Sequence, residues 1–399
     1  MIRYLTAGES HGEALIGIVE GCPAGLPLVP ADLNEHLSRR WLGFGRGGRA
    51  KIETDRAHVY SGLRHGATMG SPIALKLVNA SYHKDKARWP EVMAVEPLPD
   101  EVAVDVEKVT LPRPGHADLV GTQKYGFDDI RPVIDRSSAR ETAMRVACCS
   151  VARHLLRVLG IEVGSHVVRI GAVGYADKAD WVARRDALLA EGGARALYEA
   201  ADPSETRMLD ADLTAATIAH IKAMKKAGDS LGGVYEVVVT GVPPGLGSYV
   251  QWDRKLDGQL AQAILSIQAQ KAVEVGDGID GGTLPGSAFH DPITRENGAF
   301  ARSSNHAGGI EGGMSNGMPI IVRGVMKPIP TLIKPLGTVD IATGEAQPTR
   351  YERSDVTSVP AASTVAEATV ALVIANALLE KLGGDSLDEI RPRLDALRS

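Results

Sequence analysis

Ile2–Ala7 and Ala14–Glu20 are short, mainly apolar runs on either side of a polar, glycine-bounded segment, and they read as two strands. Gly8-Glu-Ser-His-Gly12 between them is turn chemistry, so the pair predicts a hairpin with His11 at its tip. Pro30-Ala-Asp-Leu opens a helix that runs into a basic segment. Ser138-Ala-Arg-Glu141 has the spacing of a capping box ahead of an apolar-periodic run through Met144, Val151 and Leu155, and Gly160 stops it. Val163–Val173 and Gly233–Val242 alternate like strands, and the charged stretch 177–228 between them carries two helical patterns. Asp253 can cap a helix that puts Leu256, Leu260, Ile264 and Ile267 on one face. Pro319–Val325 reads as a strand, and the last helix as Val365 to Leu382 with Gly383 as its C-cap.

Several strands fall in hairpins instead of alternating strictly with helices. This favours an α+β fold with antiparallel sheet over a doubly wound parallel one. No low-complexity linker divides the 399 residues. The expectation is one domain, 1–399, with 177–228 as a peripheral helical excursion.

Composition narrows the picture. Aromatics are only 4%, so the core must be aliphatic. The apolar stretch near Val365–Leu382 is broken by Glu367, Asn376 and Glu380 and reads as a buried helix, not a membrane span. MIRYLTAGESHG has no apolar run and is not a signal peptide. Three cysteines, Cys148 and Cys149 adjacent, form neither a disulfide framework nor a zinc spacing, which fits a reducing cytoplasm.

Charge is concentrated. Within residues 36–56, Arg39, Arg40, Arg46, Arg49, Lys51 and Arg56 face only Glu53 and Asp55, in a chain whose formal net charge is −5. Gly43, Gly45, Gly47 and Gly48 lie among them, and glycine lets the backbone approach a ligand closely. Guanidinium forks match phosphate and carboxylate. The ligand implied is small and multiply anionic.

Further candidates are individually ambiguous. Arg136-Ser137-Ser138 ahead of a helix is either an anion site or a plain cap. GGIEGGMSNG, 308–317, matches no nucleotide-binding pattern and is either a ligand-facing loop or a turn cluster. His11 and His116 lie in polar glycine loops where a proton donor would be useful, or they are inert; neither has metal-ligand spacing, so no metal is expected. Asp355 is a base or an arginine's partner.

GESHGEALIGIVEGCP (8–23), RSSARETAMRVA (136–147) and RSDVTSVPAASTVAEA (353–368), with RPGHAD, GGIEGG and KPIPT between them, resemble the chorismate synthase family over nearly the whole chain. Asp135, Cys149, Ser150 and Thr369 depart from the family's usual residues. The resemblance implies a β-α-β sandwich, with antiparallel sheets about central helices, and a homotetramer. It implies a lyase that converts 5-enolpyruvylshikimate 3-phosphate to chorismate and phosphate by anti-1,4-elimination, the last shikimate-pathway step, and that requires reduced FMN.

Matching positions give His11, His116 and Asp355 as catalytic: His11 protonates the departing phosphate, His116 the reduced flavin, and Asp355 assists hydrogen removal. Arg40, Arg46, Arg49, Arg113, Arg140 and Arg353 would bind substrate. Arg136, Ser137, Ser138, Gln268, Ala269, Gly312, Lys327, Pro328, Ile329, Pro330, Thr331 and Arg353 would bind FMN. Arg40 and Arg46 are also family positions for NADPH in some members. Substrate and cofactor together bring about six negative charges, counting each phosphate near −2. No residues are left over for a reductase domain, so a monofunctional enzyme fed by a separate flavin reductase is expected, with no membrane or nucleic-acid partner. The rival readings are an FMN-dependent oxidoreductase acting on a polyanion and, motivated by the basic segment, a nucleic-acid-binding module that lacks stacking aromatics beyond Trp41 and Phe44.

Overall fold

The computed structural model describes residues 1–46, 52–53, 55–85, 87–296, 298–350 and 355–398. Arg49 and Arg353 therefore lie outside the described residues.

The expected hairpin forms from β1 (Arg3–Ala7) and β2 (Ala14–Glu20), paired antiparallel with Leu5 opposite Ile18. With β3 (His58–Val59) and β4 (Ile73–Val78) it makes a four-stranded antiparallel sheet in the order β1-β2-β4-β3. Leu15, Val19, Ile73, Leu75 and Leu77 point inward, while Ile16 and Ile18 face out, as the period of two demands. Gly17 marks the closest approach of the helix beneath: a Cβ there would sit 2.5 Å from both Cys148 Sγ and Met144 Sδ.

A second antiparallel sheet has the order β8-β9-β7-β5-β6, from β5 (Glu162–Ile170), β6 (Val173–Gly174), β7 (Gly233–Thr240), β8 (Gln270–Val275) and β9 (Ile320–Met326). Its central strands are not half-exposed, as their alternation suggested; β5 and β7 are buried along most of their length because helices cover both faces. The polar residues pair instead. His166, Glu236, Arg323 and Glu274 stand directly across from one another in adjacent strands, and Arg185 reaches Glu236 at 3.2 Å.

Arg185 belongs to α5 (Lys178–Ala201), which kinks at Gly192–Gly193 and precedes α6 (Ala211–Ala227). These two helices account for 177–228. The remaining long helices are α1 (Pro30–Arg39), α2 (Asp118–Tyr125), α3 (Arg131–Ser137), α4 (Glu141–Val158), α7 (Leu256–Leu265), α8 (Val359–Leu382) and α9 (Leu387–Arg398). α4 packs on the first sheet, α8 on the second, and the two pack on each other. The fold is α+β. α8 is long and apolar enough to cross a membrane by composition, yet 83% of its most apolar window is buried within the protein.

Local details differ from the sequence reading. α8 begins six residues earlier, because Pro360 fits a first helical turn. Asp253 lies in a single turn, Trp252–Arg254, and does not cap α7, although Leu256, Leu260, Ile264 and Ile267 are all buried as expected. Ser138 and Glu141 do not close a capping box. Ser138 interrupts two helices, α3 and α4, and the Glu141 carboxylate takes hydrogen bonds from Thr6 and Gln268 instead. α9 is a helix the periodicity did not suggest, carrying Pro392 inside it.

Candidate active site

A cleft of about 170 Å³ opens where the N-terminal ends of α4 and α8 meet. Five separate stretches build it: Arg40, Trp41 and Arg46 after α1; Ser138, Ala139, Arg140 and Thr142 at the α3–α4 junction; Ile267 and Gln268 after α7; Met326 ending β9; and Asp355, Ser358, Ala361, Ala362 and Val365 at the start of α8. Helix N-termini carry partial positive charge, which adds to that of the arginines.

Arg40 is 5% exposed. Its Nε donates to Thr142 Oγ1 at 3.0 Å and its Nη2 to the Ala139 carbonyl at 2.9 Å; Nη1 lies 3.5 Å from Asp55 Oδ2. Burial lowers the Arg40 pKa to about 10, with Asp55 opposing and the neighbouring Arg46 and Arg140 assisting. Arg140 donates from Nη1 to Asp55 Oδ1 at 2.5 Å and from Nε to Asn79 Oδ1 at 2.9 Å. Arg46 Nε lies 3.4 Å from Asp355 Oδ2.

Several buried polar atoms at this wall make no hydrogen bond among the described residues: Arg40 Nη1, Trp41 Nε1, Arg46 Nε, Arg140 Nη2 and Gln268 Oε1. Leaving a buried donor unsatisfied costs about 1–3 kcal/mol, more when it is charged. Acceptor oxygens on a phosphate or carboxylate would relieve four of these atoms. Ile267, Met326, Ala361, Ala362 and Val365 supply the apolar part of the same lining. The donor set therefore fits an anion, and donors beside apolar side chains suit a ligand that joins an anionic group to an apolar body, the chemistry of a flavin nucleotide.

Two histidines sit on neighbouring nodes. His11 Nδ1 meets Asp135 Oδ1 at 2.5 Å, and its ring stacks on Trp89 at 3.9 Å between centroids. Asn79 Nδ2 donates to the carbonyls of Glu9 and Gly12, and Asn79 Oδ1 accepts from Arg140, so a single side chain joins the His11 turn to the cleft wall. Gly8 allows that turn: its φ is +99°, and a Cβ would lie 2.4 Å from the Ala14 carbonyl. His116 Nδ1 meets Asp118 Oδ1 at 2.5 Å, and Arg113 Nε donates to Asp118 Oδ2 at 2.8 Å. Burial alone would raise the Asp118 carboxyl; His116 and Arg113 hold it well below the usual carboxylate range. Arg113 also donates to Thr331 Oγ1, and Lys327, next to Met326 of the cleft, donates to the Gly115 carbonyl. Arg113, Pro330 and Thr331 share a small second recess.

Of the residues expected from sequence, the cleft brings together Arg40, Arg46, Ser138, Arg140, Gln268 and Asp355. Arg136 points elsewhere, donating to the Thr6 and Gly8 carbonyls, and Ser137 Oγ donates to the Val133 carbonyl. Ala269 holds φ +67°, and its carbonyl accepts from Lys327 N; the Ile329 carbonyl accepts from Ser230. Pro328 follows Lys327 in the same strand-to-loop exit. Gly312 turns a short hairpin, Ile310–Glu311 with Met314–Ser315, outside the cleft lining. Sequence reasoning missed Asp55, Thr142 and the apolar wall. It also missed Asp118, although that residue stands two positions after His116, and Asp135, beside the RSS motif.

Fold and cleft together define an α+β enzyme for a small anionic molecule. A family model described as chorismate synthase matches residues 2–379. The chain is 68% identical to the chorismate synthase of Salinibacter ruber, with 100% of this chain and 99% of that one aligned. It is 55% identical to that of Chlorobaculum tepidum, over 100% and 98%. A solved structure described as a crystal structure of chorismate synthase superposes with a TM-score of 0.77 at 39% identity, covering 99% of this chain and 96% of that one. The chain belongs to the chorismate synthase family. It is accordingly an enzyme of aromatic biosynthesis acting at the last shikimate-pathway step, in a family that requires a flavin.

Proposed function

We propose that the cleft between α4 and α8 binds 5-enolpyruvylshikimate 3-phosphate together with reduced FMN, and that this chain releases chorismate and phosphate by anti-1,4-elimination. The carrying observation is the set of buried guanidinium and indole N–H groups that make no hydrogen bond among the described residues, beside apolar side chains. When bound, reduced FMN supplies the electron density that an unactivated C–H and C–O elimination needs.

The protein's part is positional and protonic. Arg40, Arg46 and Arg140, with Arg49 and Arg113, neutralise the substrate's carboxylates and phosphate. Their local field favours the polyanion despite the chain's negative net charge. His11 delivers a proton to the departing phosphate. His116, oriented by Asp118, holds a proton beside the cofactor site. Asp355 assists removal of the hydrogen. Ser138 and Gln268 in the cleft, with Ala269, Lys327–Thr331 and Arg353, hold the cofactor; Arg136, Ser137 and Gly312 are family positions for the same group that lie outside the cleft lining.

The paired sheets about α4 and α8 support the family's β-α-β sandwich as one catalytic domain over 1–399. We place the enzyme in the cytoplasm as a homotetramer that receives reduced FMN from a separate reductase. Binding of NADPH at Arg40 and Arg46 is not needed on this reading, and aerobic turnover with NADPH and oxidised FMN as sole reductant would refute it.

The deciding experiment is an anaerobic assay with photoreduced FMN and the enolpyruvyl substrate, following chorismate absorbance and phosphate release together. One phosphate per chorismate with the flavin returned reduced supports the lyase. Flavin oxidised one-to-one with product would instead make this an oxidoreductase.

A further inference from the structure

Asp135 and Trp89 have no place in the scheme above, yet both touch His11. Asp135 lies on α3 with its carboxylate fully buried, whereas the His11 side chain keeps 23% of its exposure. A carboxylate can only accept a hydrogen bond, so the 2.5 Å contact requires the hydrogen on His11 Nδ1. The second carboxylate oxygen makes no hydrogen bond among the described residues and lies 3.6 Å from the Arg131 guanidinium.

The spacing between histidine and carboxylate is fixed from outside the pair. Ser10 N donates to the Asp135 carbonyl at 3.0 Å, and Arg136 grips the Gly8 and Thr6 carbonyls, so α3 and the hairpin tip are tied together on both sides of the contact. Trp89 then covers one face of the imidazole, its plane inclined only 17° to it. Arg88 and Arg131 lie over the same indole at 4.8 and 5.8 Å.

We propose that Asp135 and Trp89 are positioning residues for His11. Asp135 holds the hydrogen on Nδ1 and stabilises the imidazolium, so that proton transfer falls to Nε2, and Trp89 fixes the plane of the ring. The inference rests on the proton-donating role given to His11. The logic is that of a buried aspartate orienting a histidine in a hydrolase triad, where loss of the charge with the shape kept is costly in turnover.

The test combines a spectrum with kinetics. Long-range ¹H–¹⁵N correlation of histidine-labelled protein at alkaline pH, with His11 assigned by the signal lost in His11→Ala, reads which nitrogen carries the hydrogen. The neutral ring is expected as the Nδ1–H form. Asp135→Asn should lower kcat at least ~10-fold while KM and FMN affinity stay within about twofold, and Asp135→Glu should recover part of the loss. Trp89→Phe should keep most of the turnover that Trp89→Ala loses. An Nε2–H ring in the wild-type protein, which needs no variant to fold, would overturn the proposal. So would wild-type turnover by Asp135→Asn alongside an inactive His11→Ala. Full activity of His11→Ala would instead remove the role of His11 itself.

Discussion

Glu367 is a buried charge shared by three arginines, and Glu367→Gln tests how the core is held. The residue lies on α8 with no exposure. It accepts from Arg39 Nη1 at 2.5 Å, Arg39 Nη2 at 3.0 Å, Ser165 Oγ at 2.5 Å and Arg207 Nη2 at 3.2 Å, and Arg153 Nη1 lies 2.8 Å away. One carboxylate thus pins α1, α4, β5 and the loop after α5 to the central helix, one residue from Arg40 of the cleft. Burial alone would raise its pKa; Arg39, Arg153 and Arg207 overcome that and hold it at about 2, against an ordinary value of 4.5.

That difference corresponds to about 3 kcal/mol of folding stability. Because the folded-state pKa is depressed, the contribution is fully present above pH 4.5 and is lost as pH falls through about 2. Replacing the carboxylate by an amide leaves Arg39 and Arg207 with Asp202 and takes from Arg153 the carboxylate it faces, a class of change that costs about 3–5 kcal/mol. Equilibrium urea denaturation of wild type and Glu367→Gln should show a gap of at least ~3 kcal/mol at pH 7, shrinking by roughly half near pH 3. A gap under ~1 kcal/mol at pH 7, or one that does not change with pH, would refute the reasoning.

Three further outcomes are expected. His11→Ala and His116→Ala should each lower kcat by ~10²–10⁴-fold with little change in flavin affinity by fluorescence titration; two fully active variants would cancel both roles. Gly17→Ala should destabilise by about 1–3 kcal/mol in denaturant, since its methyl group meets the sulfurs of Cys148 and Met144, and an unchanged midpoint would mean α4 can shift away. All three cysteines are buried, and burial raises the Cys22 and Cys149 thiols to about 12. The native protein should therefore resist a thiol reagent until denatured, and rapid labelling of the native state would contradict the packing.

Legibility in the sequence followed the range of the interaction. The His11 hairpin was readable because two apolar runs and a glycine turn are local, and α7's buried face because 3.6-residue spacing is local. The end of α4 at Gly160 was equally plain, with φ +75° there. The capping box at Ser138 was misread because Thr6 and Gln268, distant in sequence, compete for the Glu141 carboxylate. The alternation in β5 and β7 did not reveal burial on both faces, because the helices that cover them come from other parts of the chain.

The basic character of 36–56, the aliphatic core and the family resemblance are properties of the chain read in order, since each depends on residue identity and spacing within one segment. Which arginines face one cleft is different. Arg40, Arg46 and Arg140 converge because α4 and α8 pack side by side with their N-termini at the same place, while Arg136, only four residues from Arg140, turns to the hairpin instead. The carboxylates that steady the site, Asp55 beside Arg40 and Arg140, Asp118 beside His116 and Asp135 beside His11, were likewise chosen by folding, because an ion pair takes its meaning from distance in space and from the water excluded around it.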